Sequence, residues 1–480
     1  MRFKFRRLLT PVIVLLNLSL FYVVWKPSSP ADYSFIIREF EQFEHDLEAT
    51  ISSIAISHPS RKILIISDDI IYPPISLENC SSNCVLVNRA PAFHKDFASQ
   101  YPLQAIESEF IFLVPDSTEL PNHGILEEML EYLERRSVDF LALRYKSTEG
   151  SDCLHGNVNI REWFLQVSYP KQKNVCNILH GKHLLLARKT ALMKLSDPFM
   201  QPFPEALYVQ MSALNFTIVM HPKHHVMDGK PLFTSQHNQW KKNQLDLKRR
   251  IEFFKTMGIK KVINEKGNTK WYGCRKDTPR CFGTVIEDMP SYLFAGKWTP
   301  PCCLDALRKT ALHVFHELKN SGVRYWLEGG SLLGAFRSGD IIPWDYDVDI
   351  GIYLEDLRRN SWLRNAVERP TIDEKGYLWE KAVEGDFYRV QYSSVNHMHV
   401  DIFPFYSKNG TMTKNSWFKS HVQDKEFPET FLKPLASIPF LGEVVSAPNN
   451  IREFLAFKFG ADAINKPAYP NPSKLAFPNT

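Results

Sequence analysis

The sequence of 480 residues lacks the features of a nucleic-acid-binding protein. No long basic run interleaves with aromatic residues, and the formal net charge is only +5. A phosphate backbone is usually bound by such a basic surface, so this class of partner is not expected. Hydrophobic residues make up 44% of the chain and charged residues 23%, which is typical of a globular protein. The length predicts two domains, and the mild basic excess suits anionic substrates.

The N-terminal apolar run at 8–25 lacks an A-x-A-like cleavage site after it. Basic residues precede the run, and the bulky stretch Trp25-Lys26-Pro27 ends it. The run just reaches the length that spans a bilayer, and its positive flank is expected to stay cytosolic. A cleaved signal peptide is the alternative. We predict a cytoplasmic tail at 1–7, a transmembrane signal anchor at 8–25 and a lumenal remainder, that is, a single-pass type II membrane protein.

Outside the apolar run, which itself contains Asn17-Leu18-Ser19, Asn-x-Ser/Thr sequons begin at Asn79, Asn215 and Asn409. In a lumenal domain these asparagines become candidate glycosylation sites. Three sequons in a chain of this length are close to chance, so they do not establish the compartment.

The N-terminal half lacks the paired metal aspartates of a sugar transferase. Apolar runs at 62–67, 109–117 and 138–143 predict strands, and 125–135 predicts a helix, which together indicate an α/β domain. Helical apolar spacing also predicts a helix over 35–54. Phe112-Leu113-Val114-Pro115-Asp116 looks similar to the strand end that carries metal aspartates in glycosyltransferase A-type folds, but Asp116 has no partner two residues earlier. We therefore interpret 26–270 as a glycosyltransferase-like stem with roles in assembly and acceptor binding.

The cysteines lack the C-x-x-C spacing that is usual for zinc sites. In an oxidising lumen, disulfides Cys80–Cys84 and Cys153–Cys176 are plausible, although spacing alone cannot fix the pairing. Adjacent cysteines rarely pair with each other. The second group could therefore form either a Cys₄ zinc site or two disulfides; its members are Cys274, Cys281, Cys302 and Cys303.

The stretch 327–351 carries the chemistry. Gly329-Gly330-Ser331 is a small-residue turn that opens a helix-like run, and its backbone N–H groups could meet a phosphate. Aspartates follow at alternate positions, Asp345, Asp347 and Asp349. Because side chains alternate along a strand, Asp347 and Asp349 are expected to share one face, with Val348 turned into the core.

Carboxylates that lie this close repel each other unless a cation sits between them. Mg²⁺ is usually held by carboxylates together with substrate phosphates. A further apolar strand pattern, 399–405, contains Asp401, which could close the metal site from a neighbouring strand. The combination predicts metal-assisted phosphoryl or nucleotidyl transfer with Mg²⁺ or Mn²⁺, in which Asp345 or Asp401 accepts the proton of the attacking hydroxyl.

These motifs resemble a known group of enzymes. W-L-E-G-G-S-L-L-G, D-I-I-P-W-D-Y-D-V-D and H-V-D-I-F-P-F look like the LicD-like phosphosugar and choline-phosphate transferases of the nucleotidyltransferase-fold superfamily. W-T-P-P-C-C-L, A-V-E-G-D-F, F-P-E, A-P-N-N and the membrane anchor extend the resemblance to the fukutin-related family along nearly the whole chain. The resemblance implies a Golgi enzyme that transfers ribitol 5-phosphate from CDP-ribitol to the ribitol-phosphate end of the phosphorylated O-mannosyl glycan of α-dystroglycan.

The resemblance also implies roles for individual residues. It favours zinc at the second cysteine group, as a structural site. It places donor contacts at Gln423 and Asp424 and, more weakly, in the C-terminal stretch Lys466, Pro467 and Ala468. From the residues themselves, the guanidinium of Arg337 could clamp phosphate, or Arg337 could simply be a surface residue. Trp344 could stack on the cytosine, or it could pack in the core. The predicted substrate-binding set comprises these residues with Gly330, Ser331, Asp345, Tyr346, Asp347, Val348 and Asp349.

The predicted catalytic domain is LicD-like and covers 271–480. The whole chain is expected to be an α/β protein at the Golgi membrane that forms a homo-oligomer and contacts other transferases of its pathway. Two alternatives stay open. One is a non-catalytic scaffold that binds glycoprotein or a partner transferase, and the other is a sugar transferase that acts through the stem.

Overall fold

The computed structural model describes residues 32–465 except 78–79, 81–82, 121–122, 147–152, 281, 284, 287–288 and 420. This part of the chain divides into two compact units. The first runs to Gly156 and resumes over Tyr169–Arg250; the second comprises Asn157–Ser168 and the chain from Ile251 onward. The second unit therefore includes 157–168 and 251–270, which the sequence division assigned to the stem.

Strands and helices alternate along the described chain. The strands up to residue 228 are β1 (Tyr33–Ile37), β2 (Ile63–Ser67), β3 (Cys84–Asn88), β4 (Phe110–Val114), β5 (Thr118–Glu119), β6 (Phe140–Tyr145), β7 (Cys153–Asn159), β8 (Phe164–Ser168), β9 (Val175–Cys176), β10 (Ile178–Leu179), β11 (His183–Arg188) and β12 (Ile218–Asp228). The later strands are β13 (Lys261–Ile263), β14 (Thr269–Trp271), β15 (Val285–Ile286), β16 (Met289–Pro290), β17 (Tyr325–Leu327), β18 (Asp347–Tyr353), β19 (Thr371–Ile372), β20 (Leu378–Lys381), β21 (Tyr388–Gln391), β22 (His399–Lys408), β23 (Thr411–Thr413), β24 (Phe427–Pro428), β25 (Ala436–Phe440) and β26 (Glu443–Ala447).

The α-helices are α1 (Leu47–Ser57), α2 (Phe97–Gln100), α3 (His123–Arg136), α4 (Lys189–Leu192), α5 (Glu205–Ala213), α6 (Gln236–Met257), α7 (Ser291–Phe294), α8 (Pro301–Asn320), α9 (Gly329–Ser338), α10 (Ser361–Ala366) and α11 (Ile451–Phe459). Short 3₁₀ turns cover Leu354–Arg359, Glu429–Leu432 and Ala461–Ile464. The α/β class predicted from the sequence is confirmed.

The first unit is built on a sheet with the strand order β3-β2-β1-β4-β11-β6-β12-β5. Strands β3, β2, β1 and β4 run parallel to one another. From β1 the chain moves outward through β2 to β3 and then crosses back to β4 on the other side of β1. The strand order therefore reverses between β1 and β4, and in open α/β sheets this is the position where ligands enter beyond the carboxyl ends of the strands.

The helix predicted over 35–54 is wrong in its first half. Residues Tyr33–Ile37 form β1 and are buried on both faces of the sheet, and the helix begins only at Leu47. A short continuous apolar run satisfies both the helical and the buried-strand pattern, so periodicity alone could not separate the two. The aromatic and β-branched side chains at 33–37 were the better indicator, because such residues favour strands.

The predicted membrane anchor at 8–25 lies outside the described residues. Within 32–465, apart from the gaps given above, the structure contains no helix that is both long enough and apolar enough to cross a bilayer.

The second unit is organised around a sheet with the order β17-β18-β22-β21-β20-β19. Strand β18 pairs antiparallel with β17 and parallel with β22, which makes it a central strand. Helix α8 buries Leu307, Ala311, Val314 and Leu318 in the core of this unit. The sheet and α8 thus supply a rigid support for the aspartates of β18.

The cysteines of the first unit lie in positions that allow the disulfides suggested by the sequence. The Cα atoms of Cys80 and Cys84 are 5.7 Å apart, and those of Cys153 and Cys176 are 5.4 Å apart. Both distances fall in the range of about 4.4–6.8 Å that a disulfide spans.

Candidate active site

Strands β18 and β22 bring the acidic residues of the second unit together. The register pairs Asp349 with Asp401 and Asp347 with His399. Val348 between the two aspartates is fully buried in the core, so Asp347 and Asp349 share the opposite face, as the alternation predicted. The sheet therefore presents three carboxylates side by side at the mouth of one cavity.

Asp345 lies just before β18, in a turn closed by a hydrogen bond from its N–H to the carbonyl of Ile342 (2.9 Å). Its carboxyl group is hydrogen-bonded to that of Asp347. Burial raises the pKa of Asp345 well above its usual value, and the charge of Asp347 raises it further. Burial likewise raises the pKa of Asp349, with added repulsion from Asp347 and Asp401. The negative charges of these carboxylates are therefore not neutralised by cations among the described residues, and a bound cation would stabilise them.

Asp401 already has a cationic partner. The Nε and Nη2 atoms of Arg389 donate to its two carboxylate oxygens at 2.8 and 3.2 Å. Arg389 also forms an ion pair with Glu384 (2.7 Å), so it bridges Asp401 and Glu384, which both line the cavity. A bidentate pair of this kind fixes the orientation of the carboxylate. Asp401 thus borders the aspartate pair, and Arg389 limits its freedom to turn toward a metal ion.

The glycines at the start of α9 make room for the carboxylates. A Cβ atom on Gly330 would lie 2.7 Å from Oδ2 of Asp345, and one on Gly329 would lie 3.1 Å from Oδ2 of Asp349. Gly329 also has a φ of +52°, which L residues other than glycine rarely adopt. Both glycines therefore let the positive end of the α9 dipole approach the acids closely.

Ser331 has a structural partner. Its hydroxyl oxygen accepts a hydrogen bond from the N–H of Asp349 at 2.9 Å, and the side chain is buried. The serine predicted to contact phosphate thus ties the first turn of α9 to β18. The backbone N–H groups of that turn are the part of the motif that can still meet an anion.

The carboxylates open into a cavity of about 380 Å³. Tyr346, Gln423 and Asp424 line it, as the substrate-binding prediction requires. Residues that the sequence reasoning missed also line it: Glu328, Glu384, Arg389, His399, Phe403, Phe405, Lys414, Phe418 and His421. Most of them come from β21, β22 and the segment after β23, while Glu328 precedes α9 and Glu384 precedes β21. No local motif joins these segments before the chain folds.

Lys414 is the most informative of the missed residues. Its side chain is 4% exposed, and its Nζ lies 2.8 Å from Oδ1 of Asp424. The rings of Phe403, Phe405, Trp417 and Phe418 surround the ammonium group at 3.9–5.7 Å from their centroids. The run Thr413-Lys414-Asn415 followed by Trp417-Phe418 contained a signal, since a lysine among aromatic residues is a candidate for cation–π burial.

Other predicted contacts have different surroundings. The guanidinium of Arg337 donates to the backbone carbonyls of Ala463 and Ile464, so a phosphate clamp would have to break these bonds. Trp344 is partly buried and packs against the core of the second unit. Lys466, Pro467 and Ala468 lie outside the described residues, as does Asn79. Asn215 and Asn409 are exposed.

A lysine from α11 reaches the entrance of the site. The side chain of Lys458 is 3% exposed, and its Nζ lies 3.5 Å from Glu328, the residue that precedes α9. Nζ also donates to the carbonyl of Lys425 at 3.0 Å. Glu328 in turn accepts a hydrogen bond from the indole N–H of Trp326 at 2.8 Å. The C-terminal helix thus holds the start of α9 in position.

The second cysteine group converges near the start of α8. Cys274, Cys302 and Cys303 are buried, and Cys281 lies outside the described residues. The sulfurs of Cys274 and Cys303 are 3.8 Å apart, which is the separation of about 3.8 Å expected between thiolates on one tetrahedral zinc ion. Cys274 and Cys302 lie at disulfide distance instead. The geometry therefore leaves both alternatives open.

The carboxylate oxygens of Asp347, Asp349 and Asp401 are the donor type that Mg²⁺ and Mn²⁺ prefer. The raised pKa values of Asp347 and Asp349 and the repulsion among the three carboxylates favour a bound cation. As the side chains stand, no group of three or more His, Cys, Asp or Glu among the described residues is close enough to hold a metal ion. The donor chemistry fits a divalent cation, and the carboxylates would have to turn inward to bind it.

In the first unit, the solitary Asp116 serves the fold. Its carboxylate accepts hydrogen bonds from the N–H groups of Asp46 (2.9 Å) and Ser117 (2.7 Å). These bonds occupy the oxygens that a metal-dependent sugar transferase would need. A catalytic role for the stem through Asp116 is therefore disfavoured.

The paired acids of β18 and β22, the glycine-led helix and the cavity between them define a nucleotidyltransferase-type domain. A family model described as "LicD/FKTN/FKRP, nucleotidyltransferase domain" matches residues 322–450. A second model, described as "Fukutin-related protein stem domain", matches residues 26–265.

Relatives extend the match to the whole chain. The ribitol 5-phosphate transferases FKRP of Mus musculus and Homo sapiens are each 41% identical to it, with 98% of this chain and 97% of theirs covered. The ribitol-5-phosphate transferase FKTN of Macaca fascicularis is 26% identical over 41% of this chain and 40% of its own. The chain belongs to the fukutin-related protein family, and the resemblance drawn from its motifs is confirmed.

Proposed function

We propose that this chain transfers ribitol 5-phosphate from CDP-ribitol to the ribitol-phosphate end of the phosphorylated O-mannosyl glycan of α-dystroglycan. Relatives of nearly full length are ribitol 5-phosphate transferases, and the chain is one too. The observation that carries the proposal is the alignment of Asp347 and Asp349 with Asp401 across β18 and β22, at one cavity next to the start of α9. This is where the diphosphate of a nucleotide-activated donor would be neutralised.

The proposed metal ligands are Asp345, Asp347 and Asp349, with Asp401 beside them. Mg²⁺ or Mn²⁺ bound there would supply positive charge to the donor diphosphate and to the departing nucleotide. Asp345 lies behind Asp347 and is hydrogen-bonded to it, so it fixes the orientation of the carboxylate that faces the cavity. The pair at positions 347 and 349 is therefore the main support for the donor.

The remaining groups bind and orient the reactants. The N–H groups at the start of α9 point their partial positive charge toward the aspartates and can meet a phosphate oxygen. Lys414 adds a full positive charge at the cavity wall, and Asp424 fixes its position. Tyr346 and Phe418 supply aromatic surface along the same wall for the nucleotide base.

Asp401 is the better-positioned candidate to accept the proton of the attacking hydroxyl. It lines the cavity, whereas Asp345 lies in the turn behind Asp347. Arg389 fixes the orientation of Asp401 through both oxygens.

The cellular setting is part of the proposal. The apolar run at 8–25 would anchor the chain in the Golgi membrane, with the catalytic domain in the lumen. The thiols of Cys274, Cys302 and Cys303, together with Cys281, would hold a structural Zn²⁺, supported by the 3.8 Å separation of two sulfurs. The chain would act as a homo-oligomer and contact other transferases of its pathway.

The test is donor-specific transfer by the purified full chain. CDP-ribitol, CDP-glycerol and CDP-choline are supplied separately with Mn²⁺ and a phosphorylated O-mannosyl glycopeptide that ends in ribitol phosphate, and the product mass is recorded. We expect a ribitol-phosphate adduct from CDP-ribitol that is lost with EDTA.

Two variants separate the site from the rest of the protein. Asp347→Asn should abolish the adduct, while Asp277→Asn, at an exposed position of the same unit, should keep it. An adduct that persists in Asp347→Asn would refute the assignment of the aspartates. Equal transfer from all three donors would refute the ribitol specificity, and no adduct from any donor would favour the scaffold alternative.

A further inference from the structure

The first unit contains a cavity of its own, of about 480 Å³. Arg38, Glu39, Phe40 and Glu41, which follow β1, line it together with Pro115, Asp116 and Ser117, which follow β4. It therefore opens at the carboxyl ends of the two strands between which the strand order reverses. Crevices at this point are the usual ligand sites of open α/β sheets, and sites of roughly 300–1,000 Å³ hold small molecules.

Four of the five cationic side chains that line this cavity are paired with acids, and the fifth, Lys230, is exposed. Arg38 bonds to Asp68, Lys242 to Asp246 and Arg249 to Glu41. Lys182 lies 3.1 Å from Asp228. A diphosphate or a sugar phosphate would have to break these pairs before it found a counter-charge. The cavity is therefore unfavourable for an anionic ligand.

The carboxylate of Glu39 is the exception among the acidic groups that line the cavity. It makes no hydrogen bond or ion pair with any residue that the structure describes, although its own backbone carbonyl accepts from the N–H of Asp116 (2.9 Å). It is partly accessible from the cavity. Burial raises its pKa to about 7, because the charged carboxylate is poorly solvated at this position. A ligand with hydroxyl donors would satisfy it.

The cavity is also lined by aromatic side chains. Phe40, Phe203 and Phe233 line the cavity and are partly exposed. Aromatic rings pack against the C–H faces of sugars, while a carboxylate accepts hydrogen bonds from their hydroxyl groups. A cavity lined by the acceptor carboxylate of Glu39 and by aromatic rings suits an uncharged polyhydroxylated ligand better than it suits a nucleotide.

We propose that the cavity between the ends of β1 and β4 binds an uncharged sugar unit, with Glu39 accepting hydrogen bonds from its hydroxyl groups. This site is distinct from the aspartate site of the second unit and needs no metal ion. It gives the stem a sugar-recognition function of its own, so it does not depend on the transfer reaction proposed above.

The proposal is tested by binding to the purified full chain without any donor. Mannose, galactose, N-acetylglucosamine and N-acetylgalactosamine are titrated separately and followed by saturation-transfer NMR, with CMP as the anionic probe. We expect at least one sugar to bind with EDTA present. Glu39→Gln, which keeps the shape but removes the charge, should weaken this binding about tenfold or more.

Matched variants identify the site. Glu107→Gln changes an exposed glutamate of the same unit and should bind as the wild type does. Asp349→Asn removes a carboxylate of the catalytic cavity and should also keep the sugar signal. Phe40→Leu, which retains apolar bulk but removes the ring, should weaken binding, and the melting temperature of each variant checks that it is folded.

Several results would overturn the proposal. One is that none of the four sugars binds. Another is that binding is unchanged in both Glu39→Gln and Phe40→Leu, and a third is that binding is lost in Asp349→Asn. Binding of CMP that is weakened by Glu39→Gln would also overturn it, because the cavity would then hold a nucleotide. None of these results alters the transfer assay, so the two proposals can fail separately.

Discussion

Each aspartate at the proposed metal site is in an unfavourable state for a folded protein. Asp345, Asp347 and Asp349 are buried close together, and their pKa values are raised because burial and mutual repulsion oppose the charged form. Selection for stability alone would replace these aspartates, since like charges that are buried close together lower the free energy of unfolding. Their presence is therefore best explained by a cationic ligand.

Asp349→Asn should abolish transfer and at the same time stabilise the metal-free protein. The amide keeps the shape of the side chain but removes one of the repelling charges. We expect transfer to fall by about 10³-fold or more and the metal-free melting temperature to rise by roughly 2–4 °C for each kcal/mol gained. Thermal melts in EDTA, with and without added Mn²⁺, measure the second effect. A variant that melts lower than the wild type in EDTA would contradict this account.

Asp373 is also buried, but its pKa is lowered, whereas the pKa values of the aspartates at the proposed metal site are raised. Burial alone would raise its pKa, but hydrogen bonds from His313, Trp379 and the N–H of Tyr377 hold the pKa at about 2. Because the folded-state pKa lies below the unfolded value of about 3.9, the carboxylate stabilises the fold above that pH. The contribution is lost as the pH falls toward 2.

Asp373→Asn should therefore destabilise the second unit at neutral pH by roughly 2 kcal/mol. The difference from the wild type should shrink as the pH falls from about 5 toward 2. Urea titrations followed by tryptophan fluorescence at several pH values measure it. Asp305→Asn, which removes an exposed pair with Lys309 on α8, is the control and should change stability by less than about 1 kcal/mol. A pH-independent difference would refute the electrostatic explanation.

At the scale of the element, helix α9 can lie close to the aspartates because its first two residues have no side chains. Gly329 and Gly330 have no side chains to collide with the aspartates, and Ser331 bonds to the backbone of β18. The glycine pair was predicted from the sequence to expose N–H groups to phosphate. Its closeness to Asp345 and Asp349 gives it a second role, which depends on a turn and a strand further along the chain.

Gly330→Ala should disturb the site without unfolding the domain. The new methyl group would meet the carboxylate of Asp345 at 2.7 Å, so helix and carboxylate must move apart. A displacement of about 1 Å at a reacting centre can lower the rate by roughly 10²-fold. Transfer assays and melting curves measure both effects. Gly283→Ala, where a Cβ meets nothing within 4 Å, should behave as the wild type, and equal losses in the two variants would contradict the steric explanation.

Local periodicity predicted several elements because their neighbours are close in sequence. The alternation of β18 and the strand that carries Asp401 both appear as expected. The strand at 33–37 was mistaken for helix, since burial on both faces is decided by the rest of the sheet. Likewise, Lys414 and Arg389 reach the cavity only through strand pairing, and the contact of Arg337 with Ala463 and Ile464 spans more than a hundred residues.

The cysteines at the start of α8 give a further prediction for this element. If they hold zinc, the purified chain should contain about one zinc ion. Cys303→Ser should then lose the metal and melt at a lower temperature, because three ligands no longer close the site. Metal analysis after dialysis, with Cys80→Ser as the control that keeps zinc, measures this. Absence of zinc together with no free thiols at these positions would establish the disulfide alternative.

At the scale of the whole molecule, the two units carry different kinds of recognition. The first has a cavity in which most cations are paired with acids and one carboxylate, that of Glu39, has no partner among the described residues. The second has clustered carboxylates whose charge a bound cation would neutralise. Relatives that match along 98% of the chain carry both parts together. Joining a sugar-binding unit to a transfer unit would raise the effective concentration of a large glycan at the reacting centre.

The proposed lumenal orientation has a direct readout at this scale. Asn215 lies in the first unit and Asn409 in the second, and both are exposed. If the chain beyond the anchor is lumenal, at least one of them should carry glycan. Enzymatic deglycosylation of the full chain from a eukaryotic host should then increase its gel mobility. Asn215→Gln and Asn409→Gln assign the sites, and a mobility that never changes would contradict the orientation.

The contact between Lys458 and Glu328 has a consequence for the order in which the protein can be made. Glu328 emerges from the ribosome long before α11, and until then its buried carboxylate lacks the ammonium group that neutralises it. A nascent chain stopped before residue 451 would contain every aspartate of the site and still present the start of α9 without its support. The enzyme should therefore become competent only after α11 has been made, and premature stop codons between residues 451 and 458 should be as damaging as substitutions at the aspartates.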